Sequence, residues 1–135
     1  PYSRYTLRLY LEQSKQDLFT ERQARFLLTL ANGEAAGMID LADFDPQNNR
    51  AEVCIGLLSK HRGKGIATHA LTLLCDYTFK KLHINQLYAF IPEWNSESLK
   101  LFEKNGFTKS ALLHQWQRTE QGYNNVFLVQ KLAEQ

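Results

Sequence analysis

Cysteine is scarce in this chain: among 135 residues there are two, Cys54 and Cys75. They form no CxxC and show no metal-ligand spacing, so a zinc module is excluded and no metal is expected. Both sit in apolar stretches, which reads as two reduced, buried thiols in a cytoplasmic protein. Also missing is any apolar run approaching ~20 residues, so no membrane-spanning helix is expected. Charge of one sign is equally thin. Sixteen Lys and Arg against fourteen Asp and Glu leave a net +2, too little to call for nucleic acid as a partner. There are no repeats, low-complexity segments or linkers, so residues 1–135 read as one domain, large enough for a core. No signal-peptide pattern opens the chain. It begins at Pro1 rather than Met, and an upstream segment is expected to be missing.

What is present alternates in period. Ser3 can cap a helix running to about Gln16, with Tyr5, Leu9 and Tyr10 near one face. Residues 26–30 read as a strand, Asn32-Gly33 as a hairpin turn and 35–41 as the returning strand. A polar loop over 43–49 leads to 50–58, almost continuously apolar after Glu52 and so a central strand. Ile66, Ala67, Ala70, Leu71, Leu74, Thr78 and Leu82 recur at three and four residues, the period of a helix. A short strand over 86–91 follows, then a helix opening at Trp94-Asn95-Ser96 and stopped by Asn105-Gly106. Two strands, 107–118 and 123–132, close the chain. The expected fold is α/β or α+β: a mixed, mostly antiparallel sheet flanked by helices, with a right-handed crossover through the long helix.

The junction before that long helix is unusual. HRGKGIATHALTLL, residues 61–74, sets two glycines and three basic residues at a helix start. Free N–H groups and the helix dipole make such a place an anion site. Gly63 and Gly65, lacking Cβ, let the anion reach the backbone. It is not a Walker A loop, because Lys64 is followed by Gly65 and the upstream glycine is missing. It is not a dinucleotide fingerprint either, because Thr68 stands where the third glycine belongs. A glycine turn with solvated basic residues would look the same in isolation.

Arg62-Gly63-Lys64-Gly65-Ile66-Ala67 fits R/Q-x-x-G-x-G/A, and so resembles the acyl-CoA diphosphate signature of the GNAT superfamily of N-acetyltransferases. A second block, residues 95–107 from Asn95 to Phe107, is similar to that family's later helix and its terminal "GF". Phe44-Asp45-Pro46 followed by Arg50-Ala51-Glu52-Val53 resembles the branch of ribosomal-protein N-terminal and spermidine acetyltransferases. Members usually carry a strand and a helix ahead of the first helix read here, so the resemblance implies a fragment or a truncated member.

The resemblance implies acetyl-CoA as co-substrate and direct transfer of its acetyl group to a primary amine: a protein or peptide N-terminus, or a small amine. A non-catalytic acyl-CoA-binding or sensing module is the alternative, and a homodimer is allowed. Backbone amides from Arg62, Gly63, Lys64, Gly65, Ile66 and Ala67 would hold the diphosphate. Val53, Cys54, Ile55 and Leu57 would flank the pantetheine arm, with Asn95 near the thioester. Glu52, the sole acid in its apolar strand, is the expected proton acceptor. Phe102 stands where the family commonly has a tyrosine that protonates the departing thiolate. Asp40, Asp43 and Asp45 offer negative charge to a cationic acceptor, or are a solvated turn.

Overall fold

The computed structural model describes residues 8–11, 16–57, 63 and 65–134, with side chains from Leu18 onward other than that of Leu57. In chain order the elements are β1 (Arg8–Leu11), α1 (Gln16–Glu21), β2 (Ala24–Thr29), β3 (Ala35–Asp45), β4 (Arg50–Leu57), α2 (Ile66–Lys80), β5 (Gln86–Pro92), α3 (Ser96–Lys104), β6 (Thr108–Thr119) and β7 (Gly122–Leu132). The strands form one seven-stranded sheet in the order β1-β2-β3-β4-β5-β7-β6. Among the described strands only β4 and β5 run parallel. The parallel pairing across the long helix is as expected: α2 carries the chain from one to the other.

Strand and helix periods converge on one core. Ala24, Phe26 and Leu28 of β2 are buried, as are Leu87, Ala89 and Ile91 of β5, with exposed or half-buried residues between them. They join Ile66, Ala70, Leu71 and Leu74 of α2, and Leu99 and Phe102 of α3. The helix reading of 66–82 is met, with α2 ending earlier: Lys81 and Leu82 both donate to the Tyr77 carbonyl, and His83 turns left-handed at φ 56°. Leu74 is fully buried. Leu74→Ala is expected to cost about 2–5 kcal/mol from lost transfer energy plus the cavity it leaves. A urea titration checks this; an unchanged midpoint would show that the core closes over the gap.

Two expectations fail. Residues 8–11 are a strand, not part of a helix from Ser3 to Gln16. Residues 1–7 and 12–15 lie outside the described residues. Arg8–Leu11 pairs antiparallel with Phe26–Thr29, satisfying an edge of β2 whose N–H and C=O groups would otherwise lack a strand partner. That tertiary gain outweighs the local helical pattern. Cys54 is exposed, whereas Cys75 is buried as expected. The apolar run of β4 suggests burial on both faces, but among the described residues only the face bearing Ala51 and Val53 meets the helices. Among the described residues no helix is long and apolar enough to cross a membrane.

The β3–β4 turn fixes the register that follows. Asp45 accepts from the N–H groups of Gln47 and Asn48, both at 3.0 Å, and from Asn48 Nδ2 at 2.8 Å. The Asn48 side chain foremost holds its carboxyl below the usual range. The Asn49 carbonyl then accepts from Asn85 and Gln86, tying the turn to the start of β5.

Candidate active site

The central feature is a fork in the sheet. β4 and β5 pair as Arg50↔Gln86, Ala51↔Leu87 and Glu52↔Tyr88, and there the ladder ends. β4 runs on to Leu57, held on its other side by β3, and β5 runs on to Pro92, held by β7. Beyond Glu52 the β4–β5 pairing is not continued, and among the described residues no other strand takes up the backbone groups on these facing edges. Such an edge accepts an extended amide chain by strand addition.

A groove of about 680 Å³ opens beside this fork. Ile55 and Gly56 of β4 form its floor; Gly63, Gly65, Ala67 and Thr68 form the wall at the start of α2. The other wall comes from Trp94, Asn95, Ser98 and Leu101, with Glu97, Lys100 and Lys104 on the same side of α3. Gly65 is the N-cap of α2, in the left-handed conformation at φ 76°, with no side-chain cap bond and no acid in the first helical turn. Gly63 is left-handed too, at φ 78°. Side chains at these positions would be strained, and the positive end of the helix is turned into the groove. The space, the donor-rich wall and the diverging strands fit a long, amide-containing molecule that carries phosphate.

On the far side of the fork lies Glu52. It is half-buried, and its carboxyl is pushed up chiefly by burial and next by the charge of Asp43. The Cys54 thiol donates to Glu52 Oε2 at 3.7 Å. Burial, and then the charge of Glu52, push that thiol up to about 11, so it stays protonated at neutral pH and is a poor nucleophile. Asp40 is committed elsewhere, 3.0 Å from Arg25, and Asp45 caps its own turn. Of the three acids in the 40–45 stretch, Asp43 is the one that acts on Glu52.

The expected site residues divide accordingly. Ile55, Gly63, Gly65, Ala67 and Asn95 line the groove. Asn95 is at the same time the cap of α3, accepting from Ser98 N at 3.1 Å. Val53 and Ile66 are buried in the core beside it. Cys54 lies with Glu52 on the open face. Phe102 turns inward, edge-on to Phe107 at 5.0 Å, and is not among the groove-lining residues. Arg62, Lys64 and the Leu57 side chain lie outside the described residues. Sequence reasoning missed Trp94, which is 68% exposed, and the lining role of Lys100 and Lys104. Their spacing on α3 with Glu97 and Leu101 was the available signal.

Known proteins share the sequence pattern and the fold. Residues 1–108 match the family model described as "Acetyltransferase (GNAT) domain". The spermidine N(1)-acetyltransferase of Escherichia coli (strain K12) is 32% identical over 97 residues, 71% of this chain and 52% of that protein. The uncharacterized N-acetyltransferase p20 of Bacillus licheniformis is 32% identical over 118 residues, 86% of this chain and 66% of that protein. The chain thus spans about half the length of the first of these relatives. The fold is similar to that of the dodecameric spermidine N-acetyltransferase of Vibrio cholerae, with TM-score 0.83 and 20% identity over 96% of this chain and 94% of that one. With the family model covering most of the sequence, the chain belongs to the GNAT acetyltransferase domain family.

Proposed function

We propose that this chain carries the transfer site of an acetyl-CoA-dependent N-acetyltransferase acting on a primary amine. The observation that carries the reading is the fork: its parallel ladder stops at Glu52↔Tyr88, beside a helix start whose left-handed glycine opens into the groove. Acetyl-CoA, the co-substrate, supplies a thioester. The α2 start, from Gly63 to Ala67 with Arg62 and Lys64, holds its diphosphate. The edge of β4 over Val53–Leu57, unpaired among the described residues on its β5 side, binds the pantetheine amides, and Asn95 borders the same space. The fork passes the acetyl group to the face where Glu52 stands.

There the amine nitrogen attacks the thioester carbonyl carbon. A C–N bond forms, the C–S bond breaks, and coenzyme A leaves as its thiolate. The amine proton goes to Glu52, directly or through one water. Reference values of ~10.4 for a lysine amine and ~8 for an α-amino group favour the latter as acceptor. The relatives named for spermidine keep a small cationic amine in view, and Asp43 beside Glu52 suits a positive charge. No side chain need protonate the thiolate, since a thiol has a reference pKa of ~8.5; Phe102, packed in the core, is then no obstacle. Cytoplasmic placement is consistent with two free thiols.

Mixing the protein with acetyl-CoA and a panel of amines, and following free thiol, tests the reading. Amine-dependent release is the expected result. Coenzyme A binding without release across the panel would return the sensing module instead. Direct transfer also predicts that Cys54→Ala keeps turnover within about a factor of ten, since no acyl-cysteine is formed. A loss as deep as that expected on removing a nucleophile, together with an acetylated Cys54 in intact-mass spectra, would reverse this.

A further inference from the structure

Three aromatic rings lead away from Glu52 on the open face of the sheet, and the proposed reaction has not used them. Tyr88 is the strand partner of Glu52. Its ring meets Phe90 edge-on at 5.8 Å, and Phe90 is stacked by Trp116 at 6.1 Å with 19° between the ring planes. Phe90 belongs to β5 and Trp116 to β6, yet β7 lies between those strands. A break in β6 brings the two rings together. The β6–β7 register shifts between Leu113 and Gln117, and Gln115 within the shift is left-handed at φ 51°. That conformation costs a non-glycine residue about 1 kcal/mol or more. It is held by the Gln115 N–H donating to Asn125 Oδ1 at 2.9 Å, with Asn125 Nδ2 donating to Glu93 Oε1 at 3.3 Å. Trp116 remains 60% exposed, so the bend leaves most of that ring on the surface, at the end of a line that starts at the proton acceptor.

We propose that Trp116 is a specificity-determining residue that seats the stem of the acceptor amine, selecting primary amines with a long unbranched chain. This rests on the acetyl-transfer reading above. The amine nitrogen sits at Glu52, and the stem runs over Tyr88 and Phe90 to the indole. Ring faces bind methylene groups by dispersion and area burial and tolerate a cation through their quadrupole. A short amine ends over Tyr88 and gains nothing from the outer ring. A long one covers Phe90 and Trp116 and releases their hydration water. A purely structural stack would stabilise the β5–β7–β6 ribbon without regard to substrate, and the test separates the two.

The measurement is kcat/KM for acetyl transfer to octylamine and to propylamine. The wild-type protein is expected to favour octylamine. Trp116→Ala lowers the octylamine-to-propylamine ratio about tenfold, a loss typical of one aromatic contact, and the change lies in KM. Trp116→Phe restores most of it. Tyr123→Ala removes an equally exposed ring of the same hairpin, 59% exposed, that is outside the stack, and keeps the wild-type ratio. An unchanged ratio in Trp116→Ala, an equal fall in Tyr123→Ala, or a fall carried by kcat overturns the proposal. Turnover that ignores chain length in the wild-type protein overturns this proposal alone. Absence of thiol release with every amine overturns the transfer reading and this one with it.

Discussion

Glu52→Gln lowers amine-dependent thiol release by about 10²–10⁴-fold, the usual weight of a positioned general base, and leaves coenzyme A affinity at its wild-type value. Titration calorimetry for binding and steady-state rates for turnover separate the two effects. In the wild-type protein kcat/KM climbs through the pH range in which Glu52 loses its proton. Burial and Asp43 place that range above the ordinary carboxylate value. The Gln variant lacks this limb and keeps only the rise due to deprotonation of the free amine. Its stability moves the other way. A carboxyl whose folded pKa is raised favours the native state below its unfolded pKa, and that contribution is lost as pH rises through the folded value. Once deprotonated, Glu52 is a partly desolvated charge that the variant lacks. Glu52→Gln unfolds at an equal or higher temperature at pH 7, and the difference vanishes below the unfolded carboxylate range. Loss of activity with no loss of stability is the signature of a strained functional group. An unchanged pH–rate curve removes Glu52 from the base role.

Gly65→Trp acts on the other half of the reaction. At φ 76° any L side chain is strained by roughly 1–2 kcal/mol. The indole would also fill the groove wall shared by Ala67 and Thr68 and screen the helix start. Coenzyme A affinity is expected to fall at least a hundredfold, about 2.7 kcal/mol on the binding scale. Gly65→Ala keeps most of the backbone strain with little of the bulk. Comparing the two assigns the loss to occupied space or to the turn itself. Wild-type affinity in Gly65→Trp would mean that the diphosphate sits elsewhere, and the proposed site would fall with it.

Much of this architecture was legible in advance, for definite reasons. Strands with one buried face alternate, as 24–29 and 86–92 do, and α2 repeats its apolar residues at three and four. Both periods are set by backbone geometry and survive in any context. Gly63 and Gly65 were readable as the turn that opens α2, because the left-handed conformation both adopt favours glycine. Arg8–Leu11 misled because its short pattern admits two periods, and only the unsatisfied edge of β2 decides between them. Cys54 misled because an apolar strand does not say which of its faces a helix will cover.

By itself the sequence determined the order of elements from β2 onward, the parallel crossover through α2, the glycine-opened helix start and the place of Glu52 as the acid in an apolar strand. These follow from local rules, periodicity and conformational preference, that act over a few residues. Only the tertiary structure decided where the β4–β5 ladder stops, which acid reaches Glu52, that Phe102 faces the core, and that a bend at Gln115 lays Trp116 on Phe90 across an intervening strand. Each of those is a distance between residues far apart in the chain. Such distances are set by how all the strands share one sheet, and no local pattern encodes them.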